Sequence, residues 1–239
     1  MDYLLDNPGA DRIFQDILSK IKPLQNGEVV NSMQKRGLEY KVNFGVSVPL
    51  LQQLASAYGK NHLVALKLWN KQWRETMILA TLIEDPDKVT ENQMDFWVKN
   101  FPSIEIAEQA AMNLFTKTGM AYQKAFEYCL GKKIVVKIVG LLMIGRLALT
   151  DRETPDEAFD PFFELMPPLS KDPQLAVVFS RVYIQIGMRN LNLNQVVIRH
   201  ANILKTIDSQ TACESAEQIL NQLDCDDARQ MVIRRQSIK

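Results

Sequence analysis

At 239 residues the chain can bury a substantial core, as one large domain or as two small ones. Its 28 Lys and Arg balance 28 Asp and Glu, so no net field draws the whole molecule toward nucleic acid or an anionic membrane, and any anion-binding surface has to be local. Two histidines, and three cysteines without metal-type spacing, leave little for imidazole triads or zinc. Buried free thiols, no metal and no cofactor are therefore expected.

Residues 1–12 carry Asp2, Asp6 and Asp11 and lack a basic region followed by an apolar run, which does not read as a secretory signal. The longest uncharged apolar stretch, residues 138–145, falls far short of the ~20 residues that a membrane helix needs. A soluble, cytoplasmic, monomeric protein with no membrane contact is the expectation.

Period-2 runs of β-branched residues are absent, and Gly and Pro fall mostly between apolar-periodic segments, so the chain reads as helices throughout. In chain order the pattern predicts helices near 12–22, 27–38, 48–59, 61–70, 74–84, 91–100 and 104–117. It continues near 121–130, 133–149, 156–166, 173–188, 194–205 and 210–223, with a terminal piece. Ser47 with Pro49 can open the third of these. Thr90 with Gln93 has the form of a capping box, and Ser103 is a similar N-cap before Ile104, Ala107, Ala111, Leu114 and Phe115.

Two stretches echo each other at an offset of 65 residues: 82–97 (LIEDPDKVTENQMDFW) and 147–162 (LALTDRETPDEAFDPF). Each has a leucine, a polar turn, an acidic first helical turn, then a bulky apolar residue, Asp and an aromatic at matching steps. That offset fits two helix-pair repeats. The fold expectation is all-α, an α-α superhelix of HEAT-like antiparallel helix-pair repeats forming a single domain over 1–239. Trp69, Trp73 and Trp97 lie among apolar neighbours and read as core. Glu84, Asp85 and Asp87 read as a polar loop leading to the Thr90 cap. No glycine-rich phosphate loop, nucleophile elbow or two-carboxylate hydrolase pattern stands out.

Residues 43–49 (NFGVSVP), 82–101 running into 103–117 (SIEIAEQAAMNLFTK), and 185–194 (QIGMRNLNLN) together resemble the bacterial alkylpurine DNA glycosylases of the AlkD type, within the DNA alkylation repair family. The resemblance implies HEAT-like repeats around duplex DNA and excision of N3- or N7-alkylated purines. Because such a base leaves as a cation, the reaction needs negative charge near C1′ as oxocarbenium character develops, and no general acid. The family's catalytic aspartate falls on Glu108, and the tryptophan four residues before it falls on Ile104. A second tryptophan falls on Arg181 and an arginine three residues later on Ile184. Another arginine aligns with Ile138, with Lys137 beside it as the nearest cation, and an N-terminal aromatic maps to Arg36. The aromatic walls and both arginines are thus replaced, which implies reduced or no base excision.

The carboxylate of Glu108 is either catalytic or an ordinary group at the edge of an apolar stripe. Arg181 can contact phosphate, pair with Glu108 or sit on an exposed helix face. Lys132, Lys133, Lys137 and Arg146, and later Arg189, Arg199, Lys205, Arg234 and Arg235, can line a phosphate-tracking groove. The leading expectation is a protein that binds duplex or distorted DNA mainly through its backbone, with Arg36, Ile104, Lys137, Arg181 and Arg189 at the DNA. Two alternatives stay open: an active glycosylase using Glu108, and a helical scaffold for a protein partner.

Overall fold

The computed structural model describes residues 7–237, with side chains described to residue 234. Asp2, Asp6 and Arg235 of the sequence reading therefore lie outside the described side chains. Among the described residues there are fourteen α-helices and no strand. They group into two compact units, Met1–Gly119 and Met120–Lys239.

The first unit holds α1 (Pro8–Ile21), α2 (Gly27–Lys35), α3 (Val48–Ser56), α4 (His62–Lys71), α5 (Arg74–Ile83), α6 (Glu91–Lys99) and α7 (Ile104–Asn113). Starts follow the caps. The Asn7 carboxamide accepts from the Ala10 N–H with Pro8 in the first turn, so α1 begins earlier than apolar spacing alone suggested. Asn26, Asn61, Thr90 and Ser103 cap α2, α4, α6 and α7 in the same way. Ser47 opens α3 without a side-chain bond, leaving Pro49 as the start signal. The α7 helix stops at Asn113 instead of reaching 117, and a 3-10 turn over Phe115–Lys117 follows. That break lets consecutive Leu114 and Phe115 both be fully buried.

Packing sorts these helices into two rows. α3, α5 and α7 lie in one, since α5 packs against both α3 and α7. In the other, α1 packs on α4, and the indole rings of Trp69 and Trp97 stack at 4.2 Å and 8° to bring α4 against α6. α4 with α5 and α6 with α7 are successive helix pairs, as a stacked repeat requires, while α2 is interposed between α1 and α3. Trp69 and Trp97 are core, as expected. Trp73 is only half-buried, tilted against Phe44 at 5.1 Å.

The second unit repeats the plan with α8 (Ala121–Cys129), α9 (Ile134–Thr150), α10 (Asp160–Ser170), α11 (Ala176–Gly187), α12 (Leu191–Leu204), α13 (Gln210–Leu223) and α14 (Asp226–Ser237). α11 packs on α9 and α13, and α10 on α8 and α12, giving again one row of first helices and one of second helices. Gly140 allows α8 and α9 to approach closely: a Cβ there would lie 2.6 Å from the Cys129 backbone nitrogen and 2.8 Å from the Ala125 carbonyl oxygen of α8. α10 runs through Pro167 and Pro168 to Ser170, beyond the expected end near 166. Met166 and Leu169 are both buried, and the Ser170 hydroxyl donates to the Pro167 carbonyl at 2.8 Å, so packing outweighs the two lost N–H donors.

The 65-residue echo maps onto equivalent positions. Leu82 lies in the last turn of α5 and Leu147 in the last turn of α9; Trp97 is on α6 and Phe162 on α10. Met94 and Phe159, matched in the echo, are both fully buried, as are Trp97 and Phe162 to within 2%. Cys129 is a buried thiol, whereas Cys213 is half-buried and Cys225 exposed, so only one cysteine meets the buried expectation. No described helix is long and apolar enough to cross a membrane.

Candidate nucleic-acid interface

In the first unit the expected site residues lie on or near α7, and a buried charge network fixes that helix. Arg74 opens α5 with its side chain only 4% exposed. Its Nη2 donates to Glu105 Oε1 at 2.6 Å and its Nε to Glu105 Oε2 at 2.9 Å, a bidentate grip on the first turn of α7. The Tyr40 hydroxyl makes a short hydrogen bond to the same carboxylate and lies 2.6 Å from the Ser103 hydroxyl that caps α7. Burial opposes ionisation of Glu105, but the Arg74 and Tyr40 hydrogen bonds and the charges of Arg74 and Arg36 outweigh it and hold the carboxyl below its usual range. Arg36, at the end of α2, is exposed and donates to the Ser32 carbonyl at 3.3 Å.

Glu75, fully buried, completes the network. It accepts from the Phe44 N–H at 3.2 Å, the Val46 N–H at 3.3 Å and Arg74 Nη1 at 3.2 Å. This explains the Phe-Gly pair of residues 43–49. The loop curls around a carboxylate, and Gly45 sits at φ 69° where a Cβ would meet the Asn26 carbonyl at 2.3 Å. The first of the three stretches that carry the resemblance is therefore a structural clasp. Sequence reasoning missed the network, although an Arg-Glu pair opening the otherwise apolar α5 was its available signal.

Ile104 is the first residue of α7 and is 45% exposed. Glu108, one turn on, is half-buried. An aliphatic side chain at the aromatic-wall position offers contact area but no π-face for stacking on a base.

In the second unit Lys132 and Lys133 are exposed in the turn before α9, while Lys137 and Arg146 on α9 are half-buried. Between Gly131 and Thr150 these four cations occur without one Asp or Glu. Ile138 is buried and α9 leaves no cation at that position. Arg181 is exposed on α11, the helix packed on α9, and Ile184 is half-buried.

Arg189 differs from the sequence expectation. It is 5% exposed, and its guanidinium donates to the carbonyls of Asp151, Thr154 and Ala148 and to Asp156 Oδ1 at 3.3 Å, over the Phe159 ring at 5.1 Å. The cation is enclosed by the loop it holds, so it serves that loop and has no donor directed to a phosphate. Glu84, expected in a polar loop, is also fully buried. It takes hydrogen bonds from the Asp85 N–H at 2.8 Å and Gln93 Nε2 at 2.7 Å, with His62 Nδ1 at 2.8 Å. Burial is strong enough to raise its pKa despite those partners. Gln93 is thus drawn to Glu84, and Thr90 caps α6 without the reciprocal half of a capping box.

Among the described residues no group of His, Cys, Asp and Glu is arranged to hold a metal ion. Comparison with curated proteins finds no match. A solved structure described as a new family of proteins related to the HEAT-like repeat DNA glycosylases, with affinity for branched DNA structures, is similar in fold. Its TM-score is 0.70 at 16% identity, covering 87% of this chain and 94% of that one. Residues 17–130 match the family model described as DNA alkylation repair enzyme. The chain therefore has the fold of the HEAT-like repeat glycosylases and, over residues 17–130, the sequence pattern of the DNA alkylation repair enzymes, the family that its motifs resemble.

Proposed function

We propose that this protein binds DNA through backbone contacts and has little or no base-excision activity. The observation that carries the reading is the run of Lys132, Lys133, Lys137 and Arg146 with no acidic residue between Gly131 and Thr150. A neutral chain concentrates cations there, and phosphate contacts supply most sequence-independent affinity. Exposed Arg181 lies on α11, the helix packed on α9, and adds a further cation to this unit. The fold relative's affinity for branched DNA supports distorted DNA as the preferred form.

The weak-excision half of the reading rests on Ile104, which cannot hold a nucleotide by stacking. A second reading is favoured by Glu108, which preserves a carboxylate on a helix clamped through Arg74 and Glu105. In that reading Glu108 stabilises the oxocarbenium and the protein excises cationic alkylpurines.

One pair of assays separates them. Fluorescence anisotropy with a four-way junction and a matched linear duplex should show tighter binding to the junction. The double variant Lys132→Glu/Lys133→Glu should weaken junction binding by at least about tenfold. Release of N3-methyladenine and N7-methylguanine from alkylated DNA should stay at the spontaneous background. Release that Glu108→Gln abolishes would establish the glycosylase reading instead.

A further inference from the structure

We propose that the cleft between α4 and α6 takes one apolar residue of a partner protein's peptide segment and pairs with that residue's own peptide group. The cleft has a volume of about 280 Å³ and lies in the row of first helices, away from the α3–α5–α7 row. Leu66, Trp69, Phe96 and Trp97 supply its apolar surface, and Asn70, Asn92 and Gln93 its polar surface.

Two of these residues carry unmet hydrogen-bonding groups. Trp69 Nε1, a donor, and Gln93 Oε1, an acceptor, are buried and have no hydrogen-bond partner among the described residues. Trp69 is 1% exposed and Gln93 3%. The orientation of the Gln93 amide is set by its surroundings. Its Nε2 donates to the Glu84 carboxylate, so the oxygen is left for another donor. Leaving such groups unpaired carries their full desolvation penalty, and an occupant that meets both recovers it.

Once the rim parts, one donor and one acceptor on residues that line an apolar cavity complement a peptide group, whose carbonyl accepts and whose N–H donates, with the side chain entering the aromatic surface. The lining carries no charge, which disfavours a phosphate or other ion that would have to be desolvated there. Entry requires parting the aromatic rim. Phe96, 53% exposed, is the member with fewest contacts to lose.

The equivalent cleft between α8 and α10, lined by Phe126, Glu127, Pro161, Phe162 and others, contains none of the unpartnered polar atoms and carries a carboxylate. Stacked helix pairs alone therefore do not create this arrangement.

The test is titration of the full chain with N-acetyl-L-phenylalaninamide, followed by ¹H–¹⁵N spectra in which the three tryptophan indoles are separate signals. The Trp69 indole should move and saturate in the millimolar range typical of a fragment of this size. N-methylacetamide and toluene, which supply only the amide or only the ring, should each bind about tenfold more weakly. Asn70→Trp, a substitution of an exposed residue at the cleft mouth, should abolish the shift without unfolding the chain. An unmoved Trp69 indole, a shift that survives Asn70→Trp, or thymidine binding more tightly than the peptide amide would each overturn the proposal, the last in favour of a nucleobase.

Discussion

The turn after α5 and the turn after α9 hold equivalent positions in the repeat, yet they are secured by opposite charges. In the first unit a carboxylate within the turn, Glu84, is buried and draws in His62, the Asp85 N–H and Gln93. In the second a distant guanidinium, Arg189, is buried and draws in the carbonyls of Asp151 and Thr154 with the Asp156 carboxylate. The repeat therefore fixes where a polar anchor is needed without fixing its sign. A count of charges along the chain consequently overstates how many face solvent. The stretch over α9 differs in composition, with four cations and no carboxylate between Gly131 and Thr150, and its Lys132 and Lys133 are exposed.

The largest effect should come from Arg189→Met, which leaves the gathered carbonyls without their donor and Asp156 with only the side-chain amides of Asn190 and Asn192. Urea unfolding should show a loss of about 3 kcal/mol. If the loss is below about 1 kcal/mol, Arg189 is not the anchor described. Glu75→Gln should follow at about 2 kcal/mol, since it keeps one acceptor for the loop N–H groups but removes the charge beside Arg74, which keeps Glu105 and the Val46 carbonyl.

Local and long-range features were unequally legible in the sequence of both units. Helix order, the Thr90 and Ser103 caps and the repeat offset were legible because they depend on neighbours within a few residues. The anchors were not, because their partners are 31 residues apart for Arg74 and Glu105 and 33 apart for Arg189 and Asp156. The same reason explains why Arg189 resembled a surface cation and Glu84 a loop acid. Phe44 and Gly45 stood out in the sequence, but their role required knowing that the Glu75 carboxylate lies inside their turn.

Acidic pH should sharpen the comparison within the first unit. Burial raises the folded pKa of Glu84 above its ordinary 4.5, so its contribution is most favourable below that value and declines as pH rises through the folded pKa. Glu105 is held below 4.5, so its contribution is present above that value and declines as pH falls through the folded pKa. Stability measured from neutral to acidic pH should thus lose its acid-side decline in Glu105→Gln. Glu84→Gln should instead remove the decline on the higher-pH side. If both variants change the same limb, the opposed directions assigned here are wrong.

Thiol chemistry tests the packing of α8 on α9. Burial pushes Cys129 up to about 12, so it should resist alkylation at pH 8 until the chain unfolds, while exposed Cys225 reacts at once. The smallest effects belong to the caps. Thr90→Ala should cost about 1 kcal/mol, and Ser47→Ala, which removes no capping bond, only a few tenths.

The central functional claim is that backbone contacts from the α9 segment hold DNA, and the salt dependence of junction binding addresses it most directly. Engagement of three or four phosphates predicts a log–log slope of about −3, reduced by roughly two in Lys132→Glu/Lys133→Glu. A slope near zero, or one that the double variant leaves unchanged, would contradict the assignment of this segment to DNA.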